Sequence, residues 1–261
     1  MSDDPVLLGP GEGEDIRPGV QIKTGREELV LAEFLYPPGQ DGPPRHIHRH
    51  HADAFYVLEG RIRITLDEED VLLDPGAFVH IPPEVIHTFG NPGPEPGRYL
   101  NLHAPGMGFD EYLRGRFEGE FDQVVHPPPG SGRPTSEAIV LAPGDGDQLA
   151  LGPSRACVKA GGDDAPGSLA VLETSIAPAF PGAELHRHGA TVDSFYVLEG
   201  TLTVQLDGQT AEAKAGSYAV VPPGIAHTFS NPGGEPVRFL NVMAPGGDEV
   251  VSNYLQFGHK M

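Results

Sequence analysis

The sequence is short of cysteine, of basic residues and of long apolar runs, and each shortage argues against a class of protein. Its one cysteine, Cys157, cannot form an intramolecular disulfide, which is typical of a protein from a reducing compartment. Lys and Arg together number 17 against 37 Asp and Glu, so the formal net charge is −20 at pH 7. Nucleic acid and anionic membranes are therefore disfavoured as partners, because both attract basic surfaces.

Signals for export, membrane insertion and nucleotide chemistry are missing as well. No stretch approaches the roughly 18 consecutive apolar residues of a membrane helix. The opening residues, MSDDPVLLGPGEGED, lack the basic and apolar regions of a secretory signal, so we expect a cytoplasmic protein. P-loop, GxGxxG and GxSxG signatures do not occur, and neither nucleotide binding nor serine hydrolase chemistry is predicted.

By contrast, the chain is rich in glycine and proline, with 35 and 28 residues. They separate short alternating segments such as residues 61–66 (RIRITL) and 201–206 (TLTVQL). This pattern is typical of strands joined by tight turns, and long helices are not expected. One short amphipathic helix is predicted from apolar residues at helical spacing, namely Phe109, Tyr112, Leu113 and Phe117.

The most informative feature of the sequence is a repeat. Residues 45–60 read RHIHRHHADAFYVLEG, and residues 185–200 read LHRHGATVDSFYVLEG. Each copy is followed by a further histidine, in PPEVIHTFGN or PPGIAHTFSN. An offset of 140 residues separates four matching pairs: His46 and His186, His48 and His188, Asp53 and Asp193, and His87 and His227.

The repeat covers nearly the whole chain and predicts two domains. We place an N-terminal domain at residues 1–126, a stiff proline-rich linker at 127–137 and a C-terminal domain at 138–261. The offset grows from 133 near the start of each half to 140 later on, so the second half gains seven residues, mainly around 161–168.

The repeated residue types are those of a metal site. His46 and His48 lie two apart, so an extended strand presents both imidazoles on one face. Asp53 and His87 would arrive from other strands, the latter after a Pro-Pro turn. Three imidazoles and one carboxylate suit Fe, Ni, Mn, Cu or Zn. A single HxH pair is usually a surface or core feature, but its repetition with the same acid and third histidine favours metal binding in at least one half.

These motifs resemble those of the cupins. The first cupin motif corresponds to Gly39, His46, His48, Asp53 and Gly60, and to Gly182, His186, His188, Asp193 and Gly200. The second corresponds to Gly216, Pro222, Gly224, His227 and Asn231, and to Gly76, Pro82, His87 and Asn91, with Glu84 in place of a glycine. The resemblance implies an all-β chain of two tandem double-stranded β-helix (jelly-roll) barrels, with a short helical segment and a linker between them.

One departure from the cupin pattern affects the expected site. The usual acid is glutamate, whereas this chain has Asp53 and Asp193, which are shorter by one methylene. Two arrangements are open. The aspartate ligates a shifted metal, or the metal is held by histidines alone and the aspartate orients a water molecule or acts as a general base.

The FYVLEG runs, the two ligand sets and the segment PGMGFDEYL are similar to those of quercetin 2,3-dioxygenase-like bicupins. The resemblance implies a metal-dependent dioxygenase acting on a hydroxylated aromatic or enol substrate and O2, with one transition metal ion in each domain. Asp53 or Asp193 would take the substrate's hydroxyl proton. The alternatives are a metal-dependent isomerase or lyase, or a non-catalytic small-molecule-binding cupin. A homodimer is compatible with the resemblance.

The halves differ at four further histidines. Under the same offset, His50, His51, His80 and His103 correspond to Ala190, Thr191, Val220 and Met243. Such histidines near a metal could relay protons or bind an anionic group of the substrate, while His50 and His51 could equally lie on an exposed turn. The sequence leaves open which half is catalytic.

Overall fold

The computed structural model describes residues 4–161 and 169–246. These residues form two compact units, of which the first comprises residues 14–145. The second comprises the described residues of 1–13 and 146–261. The seven-residue insertion expected around 161–168 lies outside the described residues, apart from Gly161. Among the described residues, no helix is both long and apolar enough to span a membrane.

Almost all regular structure in the described residues is β-strand. The strands up to the middle of the chain are β1 (Val6–Leu8), β2 (Glu14–Arg17), β3 (Val20–Gly25), β4 (Val30–Tyr36), β5 (His46–Ile47), β6 (Ala52–Glu59), β7 (Ile62–Leu66), β8 (Glu69–Leu73), β9 (Phe78–Ile81), β10 (His87–Gly90), β11 (Gly97–Ala104), β12 (Val124–Val125) and β13 (Ile139–Leu141). The later strands are β14 (Asp147–Leu151), β15 (Ser154–Ala160), β16 (Ala170–Ile176), β17 (Val192–Glu199), β18 (Thr201–Leu206), β19 (Gln209–Lys214), β20 (Tyr218–Val221), β21 (His227–Ser230) and β22 (Val237–Ala244).

Within the described residues each unit consists of two sheets rather than one closed barrel. The first unit has a seven-stranded sheet in the order β13-β9-β6-β11-β4-β3-β2 and a five-stranded sheet in the order β12-β5-β10-β7-β8. The second has a seven-stranded sheet in the order β1-β20-β17-β22-β16-β15-β14 and a three-stranded sheet in the order β19-β18-β21. The predicted all-β class, with its tandem jelly-roll arrangement, is confirmed.

The core of each unit lies between its two sheets. On β7 the side chains alternate, so Ile62, Ile64 and Leu66 point inward and are buried. They pack with Phe55 of β6, on the other sheet, in one apolar cluster. Burying an aliphatic side chain of this size contributes roughly 1.5–3 kcal/mol. The apolar alternation seen in the sequence therefore fixes which face of each strand is inside.

Two edge strands pair outside their own repeat. Strand β1 pairs with β20, with Val6 opposite Val220, and so joins the second unit. Strand β13 pairs with β9, with Leu141 opposite Phe78, and so joins the first unit. The domain boundaries predicted from the repeat follow sequence order and do not anticipate this exchange, which rests on tertiary pairing.

The predicted helical segment is present as α1 (Phe109–Leu113), which is shorter than the apolar spacing indicates. Phe109 and Leu113 are buried against the core of the first unit, while Tyr112 is exposed. Gly108, with φ of 75°, precedes the helix, and a Cβ there would lie 2.6 Å from the ring of Phe117. Phe117 therefore packs against the start of the helix rather than extending it. A single 3-10 turn over Thr135–Glu137 lies within the predicted linker.

Candidate metal centres

The structure brings the four candidate ligands of the first repeat together. His46 lies on β5 and His87 on β10, and these two residues are direct partners across the strands. His48 lies in the turn that follows β5, and Asp53 lies on β6. One nitrogen or oxygen atom from each of the four lies within 4.8 Å of one from each of the others, and all four residues are buried. We call this group the first centre.

The second repeat forms the equivalent group, which we call the second centre. His186 and His227 are joined by an antiparallel bridge with backbone hydrogen bonds of 2.9 and 3.1 Å. With His188 and Asp193 they again offer four donor atoms within 4.8 Å of one another. Here His186 and His188 are only half-buried. All eight residues singled out from the sequence therefore lie in one of the two groups.

The rings of the first centre are oriented by hydrogen bonds from Nδ1 to backbone carbonyls. His46 donates to Pro44 O over 2.8 Å and His87 donates to Val85 O over 2.9 Å. His48 donates to Asp122 O over 2.5 Å. A histidine held in this way carries its proton on Nδ1 and leaves the Nε2 lone pair available to a metal. The Nε2 atom of His87 is buried without a hydrogen-bond partner among the described residues.

Two histidine rings of the second centre are oriented in the same way, by hydrogen bonds from Nδ1 to backbone carbonyls. His186 donates from Nδ1 to Glu184 O over 2.8 Å, and His227 donates to Ile225 O over 3.0 Å. The Nε2 atom of His188 is buried, and it too lacks a hydrogen-bond partner in the part of the chain described. The donor sets of both centres, three imidazole nitrogens and one carboxylate oxygen, thus fit one transition metal ion each.

An asparagine positions each aspartate. Asn101 Nδ2 donates a short hydrogen bond to Asp53 Oδ1, and Asn241 Nδ2 donates to Asp193 Oδ1 over 2.5 Å. The other oxygen, Oδ2, then faces the imidazoles. In the first centre it lies 3.3 Å from His87 Nε2. Both arrangements left open by the sequence use the oxygen that faces the imidazoles, and in this structure that oxygen is Oδ2.

The two asparagines are site residues that the sequence analysis missed. A usable signal was present, because they recur at the same offset of 140 in the strands YLNLHAP and FLNVMAP. Asn101 lies opposite Phe55 of β6, and Asn241 lies opposite Phe195 of β17. Each asparagine is fully buried beneath its carboxylate.

Burial sets the protonation state of the first centre. It lowers the pKa of His48 from 6.5 to about 3, and it lowers the pKa of His46 well below its ordinary value. Burial alone would raise the pKa of Asp53, but the nearby His103, His87 and His48 together hold it below its usual range. At neutral pH His46 and His48 are therefore neutral and Asp53 is ionised, the forms that bind metal.

The second centre is electrostatically different. Burial lowers the pKa of His186. For His227, burial is outweighed by the hydrogen bond with Asp193, whose Oδ2 lies 3.0 Å from Nε2, and the pKa rises above its ordinary value. The His188 side chain is 22% exposed, whereas that of His48 is 4% exposed.

The additional histidines of the first half separate into two kinds. His50 is exposed, as on a turn. His51 is buried and donates from Nδ1 to Asp122 Oδ2 over 3.0 Å. With His48 and His103 it forms a third group of ring nitrogens within 4.8 Å of one another. The second half has Thr191 and Met243 at the positions of His51 and His103.

Asp122 anchors this region of the first unit and was not predicted. Its carboxylate also accepts hydrogen bonds from the backbone nitrogens of Arg49 and His50, over 3.0 and 2.8 Å. It lies more than 70 residues further along the chain than the turn it holds, so no local pattern identifies it.

A pocket opens onto the first centre. His46, His48 and Asp53 line its inner end. Five aromatic side chains also line it, namely Phe34, Tyr36, Phe89, Phe109 and Tyr112. A concave site with apolar walls and a few convergent polar groups is typical of a small-molecule site.

The chain is similar to known proteins over almost its full length. Quercetin 2,3-dioxygenase of Bacillus subtilis (strain 168) is 25% identical over 284 residues, which cover 93% of this chain and 83% of the relative. Among solved structures, salicylate 1,2-dioxygenase from Pseudoaminobacter salicylatoxidans has a TM-score of 0.66 at 15% identity, covering 98% of this chain and 88% of that one. Oxalate decarboxylase from Bacillus subtilis has a TM-score of 0.62 at 17% identity, covering 95% and 77%. These two structural likenesses show the fold alone.

The family comparison agrees with the repeat. The cupin domain matches residues 32–103 and again residues 172–243, each spanning one candidate ligand set. The resemblance drawn from the sequence motifs is thereby confirmed, and the chain belongs to the cupin family, with one cupin domain in each repeat.

Proposed function

We propose that the protein is a metal-dependent dioxygenase acting on a hydroxylated aromatic or enol-type small molecule, with the first centre as its catalytic site. The observation that carries this proposal is the ligand group His46, His48, Asp53 and His87 together with the aromatic pocket that opens onto it. The similarity to a quercetin 2,3-dioxygenase over 93% of the chain supports the reaction class.

The metal ligands proposed are the three histidines of each centre and, until substrate binds, its aspartate. When bound, the ion would polarise a coordinated substrate oxygen and favour its deprotonated form. Asp53 is the catalytic residue of the first centre, and Asp193 is its equivalent in the second. Its lowered pKa keeps Asp53 ionised, so Oδ2 can receive the proton of the substrate hydroxyl while Asn101 holds Oδ1 in place.

The pocket walls account for the proposed substrate class. A planar ring would pack among the side chains of Tyr36, Phe89 and Phe109, with its hydroxyl directed to the metal ligands. Burial of the ligands also limits the access of water to a reactive deprotonated substrate. O2 is the proposed co-substrate, and a cytoplasmic location is part of the same proposal.

Oxygen uptake tests the reaction class. The protein, reconstituted separately with Fe, Ni, Mn, Cu and Zn, would be supplied with flavonols, simple polyphenols and β-diketones while dissolved O2 is recorded. We expect substrate-dependent O2 consumption, and with 18O2 a product that carries both labelled atoms. Turnover without O2 consumption would instead identify an isomerase or lyase. Stoichiometric ligand binding without turnover would identify a non-catalytic binding protein.

A further inference from the structure

The pocket of the first centre contains an arginine as well as the metal-ligand group. Arg17, the last residue of β2, is exposed and lines the pocket with Tyr36 and Tyr112. Arg17 and Asp53 are the two residues of formal charge in the pocket lining. A metal dication at the inner end would more than neutralise Asp53, so an empty pocket would carry net positive charge.

Arg17 has no acidic partner among the described residues. Several other arginines of the first unit pair with acids, as Arg98 does with Glu33 over 3.0 Å and Arg114 does with Glu14 over 2.6 Å. The positive charge of Arg17 lies near the phenol of Tyr36. Burial raises the pKa of that phenol, and the charge of Arg17 opposes the rise.

The corresponding position of the second unit has no such charge. Residues 7–16 align with 140–149 at an offset of 133, and at the same offset Arg17 corresponds to Ala150 on β14. The cation therefore distinguishes the first pocket and is not part of the repeated scaffold.

We propose that the substrate of the first centre is an aromatic or enolic acid, whose hydroxyl enters between His48 and Asp53 and whose carboxylate pairs with Arg17. This inference rests on the proposed function, because it uses the same pocket and the same metal-directed hydroxyl. The guanidinium can bind a carboxylate through two hydrogen bonds, which fixes the ring in the pocket. An unpaired cation also raises the local concentration of an anion that the net charge of −20 would otherwise repel.

Matched ligands test the proposal by binding rather than turnover. Catechol would be compared with 2,3-dihydroxybenzoate and 3,4-dihydroxybenzoate, whose carboxylates lie in different directions. Affinities for the metal-loaded full chain would be measured by calorimetry without O2. We expect one of the two acids to bind about tenfold more tightly than catechol, which is the size of effect that one charge-assisted contact provides.

Three variants separate the contact from general effects. Arg17→Gln should remove the preference for the acid and leave catechol affinity unchanged, while Arg17→Lys should retain part of it. Arg155→Gln, which removes an exposed arginine of β15, should retain the full preference. Equal binding of catechol and both acids to the wild type, or a preference that survives in Arg17→Gln, would overturn the inference and leave the proposed function standing. Failure of all three ligands to bind would overturn both.

Discussion

The two centres have the same ligands in different surroundings. In the first, His46 and His48 are buried, and the His48 pKa falls to about 3. In the second, His186 and His188 are half-buried, and the pKa of His227 is raised through its contact with Asp193. A duplication has therefore preserved the ligand geometry while the electrostatics of the two sites have diverged.

Residues outside the ligand strands cover the first centre. In the first unit, Phe121 and Asp122 pack beside the ligand group, with the Phe121 ring 6.0 Å from that of His48. The ring of His103 stacks on Phe109 at 3.6 Å and lies 4.9 Å from that of His51. The repeated strands thus supply the metal ligands of both centres, whereas the surroundings of each centre depend on the residues that cover those strands.

The largest effect should come from removing the first centre. His46→Ala with His48→Ala should lose one metal equivalent and reduce turnover by roughly a thousandfold, since a metal supplies several kcal/mol to the barrier. His186→Ala with His188→Ala should also lose one equivalent but keep most of the turnover. Metal analysis and O2 uptake on both variants check this.

Loss of turnover only in the variant of the second centre would reverse the assignment of the catalytic site. Retained metal in both variants would contradict the ligand sets themselves. Because buried histidines are replaced, circular dichroism and the midpoint of thermal unfolding should be compared first, so that misfolding is not mistaken for loss of metal.

A tenfold to hundredfold effect is expected from Asp122, which contacts only the first centre. Asp122→Ala removes the carboxylate that holds the backbone of Arg49 and His50 and the ring of His51. The turn carrying His48 should loosen, and the metal affinity of the first centre should fall roughly 10–100-fold, as is typical for residues that orient ligands. Competition with a chelator measures this affinity.

The matched control for Asp122 is Glu118→Gln, which neutralises an exposed acid of the same segment. It should leave both affinities unchanged. If Asp122→Ala lowered the metal affinity of both centres equally, the cause would be a general loss of stability. Asp122 would then not explain the difference between the two centres.

Comparing Asp122 with the metal ligands shows which features of the site can be predicted from the sequence and which cannot. His46, His48 and Asp53 occur in one motif whose strand spacing predicts their convergence, and the repeat showed that the motif was not accidental. Asp122 acts across more than 70 residues, and the pairing of β1 with β20 joins opposite ends of the chain, so neither has a periodic signal. The fold class and the ligand types were therefore accessible from the sequence, and the supporting contacts were not.

A pH titration should separate the centres by about tenfold in affinity. Protons compete with metal for an imidazole only near or below its folded pKa. His227 has a pKa raised above its ordinary value of 6.5, so the second centre should begin to release metal before the pH has fallen to 6.5. The first centre should retain metal at that pH, because the pKa of His48 is about 3.

The two double-alanine variants, each with one centre intact, allow this release to be followed separately by metal analysis after gel filtration at stepped pH. If the first centre released its metal earlier than the second, or if both released it together, the pKa values of the metal-free histidines would not determine how well each centre retains its metal.

The smallest effect, about 1 kcal/mol, concerns a histidine that neither centre uses. His80 is 2% exposed, and both of its ring nitrogens lack hydrogen-bond partners among the described residues, whereas the second repeat has Val220 at this position. His80→Val should stabilise the protein by about 1 kcal/mol at pH 7, because it removes buried polar atoms that are unsatisfied.

The effect of His80 on stability should also depend on pH. Burial lowers the His80 pKa to about 4, so below pH 6.5 the unfolded chain takes up a proton that the folded chain does not, and the wild type loses stability. The gain should therefore grow between pH 7 and pH 5.5, measured by urea unfolding of the metal-free protein, while Val220→His should produce the opposite change. A loss of stability in His80→Val would mean that this histidine has a partner that binds both of its nitrogens.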